Sequence, residues 1–204
     1  MSASELIKII NNVYLPSEYS KIRERVYSLV SNYKSSRYVK VDDRVTALFE
    51  DAITVWFQIE ETVYLEGTDD ESVLKEAIRT YAPMIPGNDE ISLTLFIYVY
   101  NYDELRNLLP KYGGIEKSVY LIINEDKIGA VPIYPEDYSP GAQPRSIHYL
   151  KFRKAGLDEE VRKAASVKLA ITHGLVNKTI ELSQEQVLAL RNSVKRLGIK
   201  WLQA

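Results

Sequence analysis

Only two histidines occur in the 204 residues, His148 and His173, so imidazole acid–base or ligand chemistry must use one of them. His148 lies in Arg145-Ser146-Ile147-His148-Tyr149-Leu150-Lys151-Phe152. On a strand it shares a face with Leu150 and Phe152, while Lys151 shares one with Ile147 and Tyr149. It reads either as a half-buried imidazole satisfied by a backbone carbonyl, or as a metal ligand or proton-transfer group. His173 follows the apolar run Val167–Ile171 and precedes Gly174, at a strand end where turn residues and site residues both gather. The densest carboxylate segment runs from Phe49-Glu50-Asp51 through Gln58-Ile59-Glu60-Glu61 to Glu66. On a helix, Ile53, Trp56, Phe57, Val63 and Tyr64 form the apolar stripe and Glu60 falls inside it. A carboxylate there must be paired, protonated or metal-bound, because an isolated buried charge is very costly. Two carboxylates with imidazoles could build an oxygen and nitrogen metal site. The competing reading is a solvated or salt-bridged helix face.

Other chemistries are excluded. With no cysteine, there are no disulfides, thiolate zinc sites, iron–sulfur ligands or cysteine nucleophiles. No Gly-x-Gly-x-x-Gly, Gly-Lys-Ser/Thr or Gly-x-Ser-x-Gly occurs, so the usual phosphate cradles and the nucleophile elbow are missing. The 26 basic and 28 acidic residues argue against a dedicated nucleic-acid binder, which needs a basic excess. The modest basic stretch Lys34, Arg37, Lys40 and Arg44 reads as solvated surface. Most of the 15 tyrosines, including Tyr27, Tyr33, Tyr81 and Tyr98, fall at core periodicities. The opening MSASELIKIINNVYLP reads as a short amphipathic helix and not a signal peptide, and the expected location is cytoplasmic. Apolar runs are far shorter than the ~20 residues of a membrane helix. The Ile, Val, Tyr, Glu and Lys bias is compatible with a thermophile.

The elements that must position these groups follow from periodicity. Helices are expected over 4–13, over 19–33 after Pro16-Ser17, over 73–81 capped by Asp69/Asp70, over 102–109, and from an Asp158 cap to about 166. A last helix opens with the capping box Ser183-x-x-Gln186 and closes at Gly198. Strands are expected over 39–50 with an interruption near Asp42-Asp43, over 91–100 as a central strand, and over 146–152, 167–172 and 179–182. Residues 119–123 and 128–134 flank a hairpin turn. Ala52–Glu66 is ambiguous: β-branched and aromatic content favours strand, while Asp51 and Gly67 at its ends favour helix. Pro135–Pro144 is the one Pro/Gly-rich loop. The sum is α+β: a mixed, mainly antiparallel sheet with helices packed on it. It is expected as a compact domain with a helical N-terminal segment (1–35), a main body (36–152) and a C-terminal subdomain (153–204).

In order along the chain, several segments resemble the family called domain of unknown function 3501. Leu48-Phe49-Glu50-Asp51-Ala52-Ile53-Thr54-Val55 is similar to its Phe-Glu-(Asn/Asp)-x-x-Thr segment, and Gln58-Ile59-Glu60-Glu61 through Glu66 to its Gln-x-x-Glu…Glu segment. Tyr81-Ala82-Pro83-Met84-Ile85-Pro86, Gly114-Ile115-Glu116, Glu136-Asp137, Ser146–Phe152 and Thr172-His173 follow in register. Tyr98 stands where the family tends to carry a carboxylate, Lys151 replaces Arg, and Thr172 replaces Asp. The resemblance implies no established activity; it suggests a redox-protein partner by association. Two readings stand. In the first, the protein is a non-enzymatic accessory protein, a homodimer, binding a small ligand or a partner, with Gln58, Glu60 and Tyr149 in contact with ligand. In the second, Glu61, Glu66, His148 and His173 hold a divalent metal, with a redox-linked role.

Overall fold

The computed structural model describes residues 3–197 and 199–202. They divide into two compact units that interleave along the chain. Unit 1 comprises residues 1–36, 50–88 and 193–204, and unit 2 comprises residues 37–49 and 89–192.

Unit 1 is helical: α1 (Ala3–Ile9), α2 (Pro16–Tyr19), α3 (Arg23–Ser35), α4 (Ala52–Glu66) and α5 (Glu71–Tyr81). The ambiguous segment is therefore a helix, and its ends explain why. The Asp51 carboxylate accepts from Ile53 N and Thr54 N at 3.0 and 3.2 Å, and Thr54 Oγ1 accepts from Asp51 N at 2.9 Å. That reciprocal box nucleates the first turn. Gly67 closes the helix in the left-handed region at φ 66°, where a glycine meets no steric penalty. Ala52–Trp56, Ile59, Glu60 and Val63 are all buried, so packing overrides the β propensity of the valines and isoleucines. Trp56 is the anchor. Its indole N–H donates to Asn12 O at 2.7 Å, and the Tyr14 and Tyr19 rings meet its ring edge-on at 6.3 and 6.2 Å. The chain returns to α4 near its end: Ala52 N donates to Val194 O, and Val194 N to the Asp51 carboxylate, at 2.9 and 3.0 Å.

Unit 2 carries two antiparallel sheets, so the α+β class holds. Its strands are β1 (Tyr38–Lys40), β2 (Val45–Glu50, whose last residue opens the return to unit 1), β3 (Glu90–Ile97), β4 (Val119–Ile123), β5 (Asp126–Gly129), β6 (Val131–Pro132), β7 (Ile147–Arg153), β8 (Val167–His173) and β9 (Val176–Glu181). The sheet orders are β1-β2-β3-β7-β6 and β5-β4-β8-β9. The strand expected to be central, β3, lies in the middle of the five and pairs Leu93 with Leu150 and Leu95 with His148. The break near Asp42-Asp43 is a turn: the Asp42 carboxylate accepts from Arg44 N and Val45 N at 2.8 and 2.7 Å. The residues facing in from both sheets form one core with Leu157 and Val161 of α6 (Leu157–Lys163) and Leu190 of α7 (Gln184–Arg191).

Several local expectations change. The 19–33 helix is split into α2 and α3. Residues 104–112 form a π-type turn followed by a 3-10 turn rather than an α-helix. Asp158 does not cap α6. Gly156 holds that position, and Asp158 instead accepts from Asp89 N at 2.9 Å while the Asp89 carboxylate accepts from Gly156 N and Asp158 N. The Ser183–Gln186 box does open α7, but the helix stops at Arg191, and the expected stop at Gly198 lies outside the described residues. The second arm of the 119–134 hairpin ends at Gly129, and Val131–Pro132 pairs with β7 in the other sheet. Tyr27 and Tyr98 are 54% and 42% exposed, not core. The basic stretch is also not simply solvated. Arg37 is buried and donates to Phe49 O and Ala189 O, while Arg44 grips Glu104 through two bonds of 2.8 Å.

Because Asp51 caps α4, receives Val194 N and is contacted by Tyr33 Oη, Asp51→Ala should destabilise beyond an ordinary cap deletion. The expected loss is about 2 kcal/mol or more in urea unfolding. A loss within a few tenths would contradict the anchoring role.

Candidate functional site

The β7 alternation places His148 on the core face with Leu150 and Phe152, as its strand register requires. At this end of the strand the chain before it, Pro135–Pro144, meets the turn that starts at Gly113-Gly114. The two borders enclose a cavity of about 350 Å³ whose lining includes Tyr112, Glu116, Tyr138, Arg145 and His148. Gly114, at φ 87°, makes the sharp entry into the 3-10 turn Ile115–Lys117 that carries Glu116.

His148 is 4% exposed. Its Nδ1 lies 2.9 Å from Tyr138 Oη, and the two rings stack at 5.7 Å with 18° between planes. With the phenol donating, Nε2 carries the ring hydrogen; with the phenol accepting, Nε2 is a bare acceptor. In either tautomer Nε2 is a buried polar atom without a hydrogen bond. Burial pushes the imidazole down to about 4, opposed by the Arg145 backbone and assisted by the Arg145 charge. Tyr138 is pushed well above the usual phenol range, first by burial, then by the charges of Glu116 and Asp137. The pair is therefore neutral at pH 7: an imidazole and a phenol.

Glu116 is also 4% exposed. Among the described residues no hydrogen bond or ion pair engages its carboxylate. At the rim, Arg145 is already paired with Asp137. Glu116, Tyr138 and Arg145 were not singled out by residue type, yet the signal was present. Gly114-Ile115-Glu116 and Glu136-Asp137 carry the family resemblance, and Tyr138 sits in the one Pro/Gly-rich loop.

The other expected site residues have different surroundings. His173 is half-buried in unit 2, where Nδ1 accepts from Leu175 N at 3.2 Å and Nε2 donates to Gly113 O at 3.2 Å. Both ring nitrogens are engaged, and the ring stacks on Tyr112 at 6.0 Å. His173 thus holds the wall of the cavity. Tyr149, on the opposite face of β7, packs edge-on against Tyr134. Gln58, Glu60, Glu61 and Glu66 all belong to α4 in unit 1. Glu61 is neutralised by Arg23, with contacts of 3.0 and 2.8 Å, and accepts from Tyr19 Oη at 2.9 Å. Glu66 is exposed at the last turn. Among the described residues no three His, Asp or Glu side chains group to hold a metal ion.

Glu60 lies deep in unit 1. It is 1% exposed; Oε1 accepts from Tyr14 N at 2.9 Å and Oε2 has no partner. Burial pushes its carboxyl up to about 8, against the pull of the Tyr14 bond and with help from Glu61. That shift favours the protonated form at neutral pH.

Two pH dependences follow with opposite signs. Glu60 keeps its proton in the fold but loses it near 4.5 when unfolded, so its contribution is full below pH 4.5 and is lost as pH rises to about 8. Glu60→Gln should flatten that decline, raising the urea midpoint at pH 9 while leaving pH 5 nearly unchanged; equal shifts at both would contradict it. His148 is the reverse. Its contribution is present above pH 6.5 and is lost as pH falls through about 4. Its imidazole NMR signals should therefore stay fixed between pH 5 and 8, and protonation near pH 6 would contradict the buried environment.

The comparisons with known proteins bear on the fold. A solved structure titled as a novel protein of unknown function from Burkholderia pseudomallei K96243 superposes with a TM-score of 0.82 at 22% identity, covering 90% of this chain and 96% of that one. At that identity the likeness shows the fold alone. No curated protein matches. No helix among the described residues is long and apolar enough to cross a membrane. The family resemblance seen in the short motifs is matched by a model over residues 9–194. The chain therefore belongs to the family described as protein of unknown function (DUF3501).

Proposed function

We propose that this protein is a small-ligand-binding protein, and that the ligand sits in the unit 2 cavity bordered by Glu116, Tyr138 and His148. One observation carries the reading. His148 Nε2 is a fully buried polar atom without a hydrogen-bond partner, and Glu116, a nearly buried residue whose carboxylate meets no partner among the described residues, borders the same cavity. A buried polar group left unsatisfied costs about 1–3 kcal/mol, more when charged. Folded proteins keep such groups where function uses them. The cavity, about 350 Å³, is at the small end of the roughly 300–1,000 Å³ of organic-ligand sites. Its apolar walls, Leu109, Pro110 and Tyr112, alternate with the polar groups, the usual mixture of a binding pocket. The neutral Tyr138–His148 pair offers one oriented donor or acceptor at Nε2. That is a recognition contact, which supports an accessory, binding role.

Ser139 is exposed and lines the cavity, so Ser139→Trp should fill it without touching the core. A water-soluble fragment set, followed by NMR at the imidazoles, tests the reading. Binders should perturb His148 in the native protein and lose at least about tenfold in affinity in the tryptophan variant. Fragments that bind both forms equally, or none that reach His148, would overturn it.

A further inference from the structure

Resting on that reading, we propose that the ligand is a cation: a small molecule whose primary ammonium group binds the Glu116 carboxylate, with its carbon skeleton against Leu109, Pro110 and Tyr112. The other buried charged groups of the same unit have been provided for. Lys151, buried on the face of β7 opposite His148, meets Glu90 at 2.7 Å, and the Arg37 guanidinium donates to the carbonyls of Phe49 and Ala189. Glu116 is the exception. It is as buried as His148, and no cation of the described chain lies within ion-pair distance of it. The positive groups at the rim do not change this. Arg145 is spent on Asp137, and Lys117, the next residue in the 3-10 turn, is exposed and makes no ion pair with its neighbour.

Charge selects the ligand class. A carboxylate bordering a cavity gains most from a partner that brings a full positive charge and donors, because such charge-assisted bonds are roughly twice as strong as neutral ones. An anion in the same cavity would face Glu116 with like charge, and a repulsive contact of this kind is an efficient means of rejection. The His148 ring and the Tyr138 phenol bring no charge of their own, so they accommodate the polar remainder of the ligand. Tyr112 lines the cavity, and the ring face not stacked on His173 can meet an ammonium group.

Three isosteric probes of one chain length separate the alternatives: n-butylammonium, butyrate and butan-1-ol, each titrated into the full-length protein and followed at the His148 imidazole by NMR. Butylammonium should give saturable shifts, and butyrate none. Glu116→Gln, which keeps the shape and removes the charge, should weaken butylammonium by at least about tenfold. The glutamine variant should remain folded by circular dichroism, and Ser139→Trp supplies an independent loss of the same signal. Butyrate or butanol binding in preference to butylammonium would overturn the cationic assignment and leave the cavity a binding site. An undiminished butylammonium affinity in the glutamine variant would also overturn it. No response to any of the three probes would overturn both readings.

Discussion

The cost of taking an ionisable group out of water governs how this chain is built. Four of the buried ionisable groups are handled in different ways. Glu60 keeps a proton. His148 gives one up and leans on a phenol. Lys151 takes a carboxylate partner from the neighbouring strand. Glu116 has none of these arrangements. The first three are the standard escapes from an isolated buried charge: neutralisation or pairing. The fourth is why the site is argued from Glu116 and not from the more densely acidic helix α4. There, Glu61 has its Arg23 and burial favours a proton on Glu60, whose Oε2 alone is left without a hydrogen bond.

Much of the scaffold was legible because single residues carry strong local signals. Asp51 and Gly67 bracket α4 correctly even though its Ile, Val, Thr and aromatic content argues for a strand. The tie was decided by burial on nearly all sides, which sequence periodicity does not report for a helix without a polar face. The alternation in β7 correctly put His148 with Leu150 and Phe152. It failed for Lys151, which the same alternation places on the less buried face. A long cationic side chain there is buried because Glu90, beside it on β3, supplies the counter-charge. Such a pairing depends on register between strands some sixty residues apart in sequence.

The candidate site was less legible for the same reason. Glu116 and Tyr138 lie on separate connections, and His148 lies on a strand. Their meeting depends on how two loops cross the end of one sheet. Imidazoles and carboxylates attract attention by type, and that drew Glu61, Glu66 and His173 into the expected ligand set. The structure gives His173 a different task. Its two nitrogens tie the β8–β9 turn to Gly113, fixing the backbone from which Gly114 turns into the Glu116 segment. Its role is to position the wall of the cavity.

A shared fold at 22% identity fixes the sheets and helices and leaves the chemistry open, since one scaffold serves many functions. What distinguishes sites on a common scaffold is the residue type at a few loop positions. Here those positions lie in the Gly113–Lys117 turn and the Pro135–Arg145 loop, both held to rigid elements. The first is held by His173 and its stack on Tyr112, and the second by the Tyr138–His148 contact with β7. Glu116 sits on the first of these braced segments and borders the cavity. On the proposed reading, a ligand in the cavity meets its charge. On that reading, the bracing of its turn and the burial of the residue would give a single acidic side chain a selectivity that a solvent-exposed glutamate lacks.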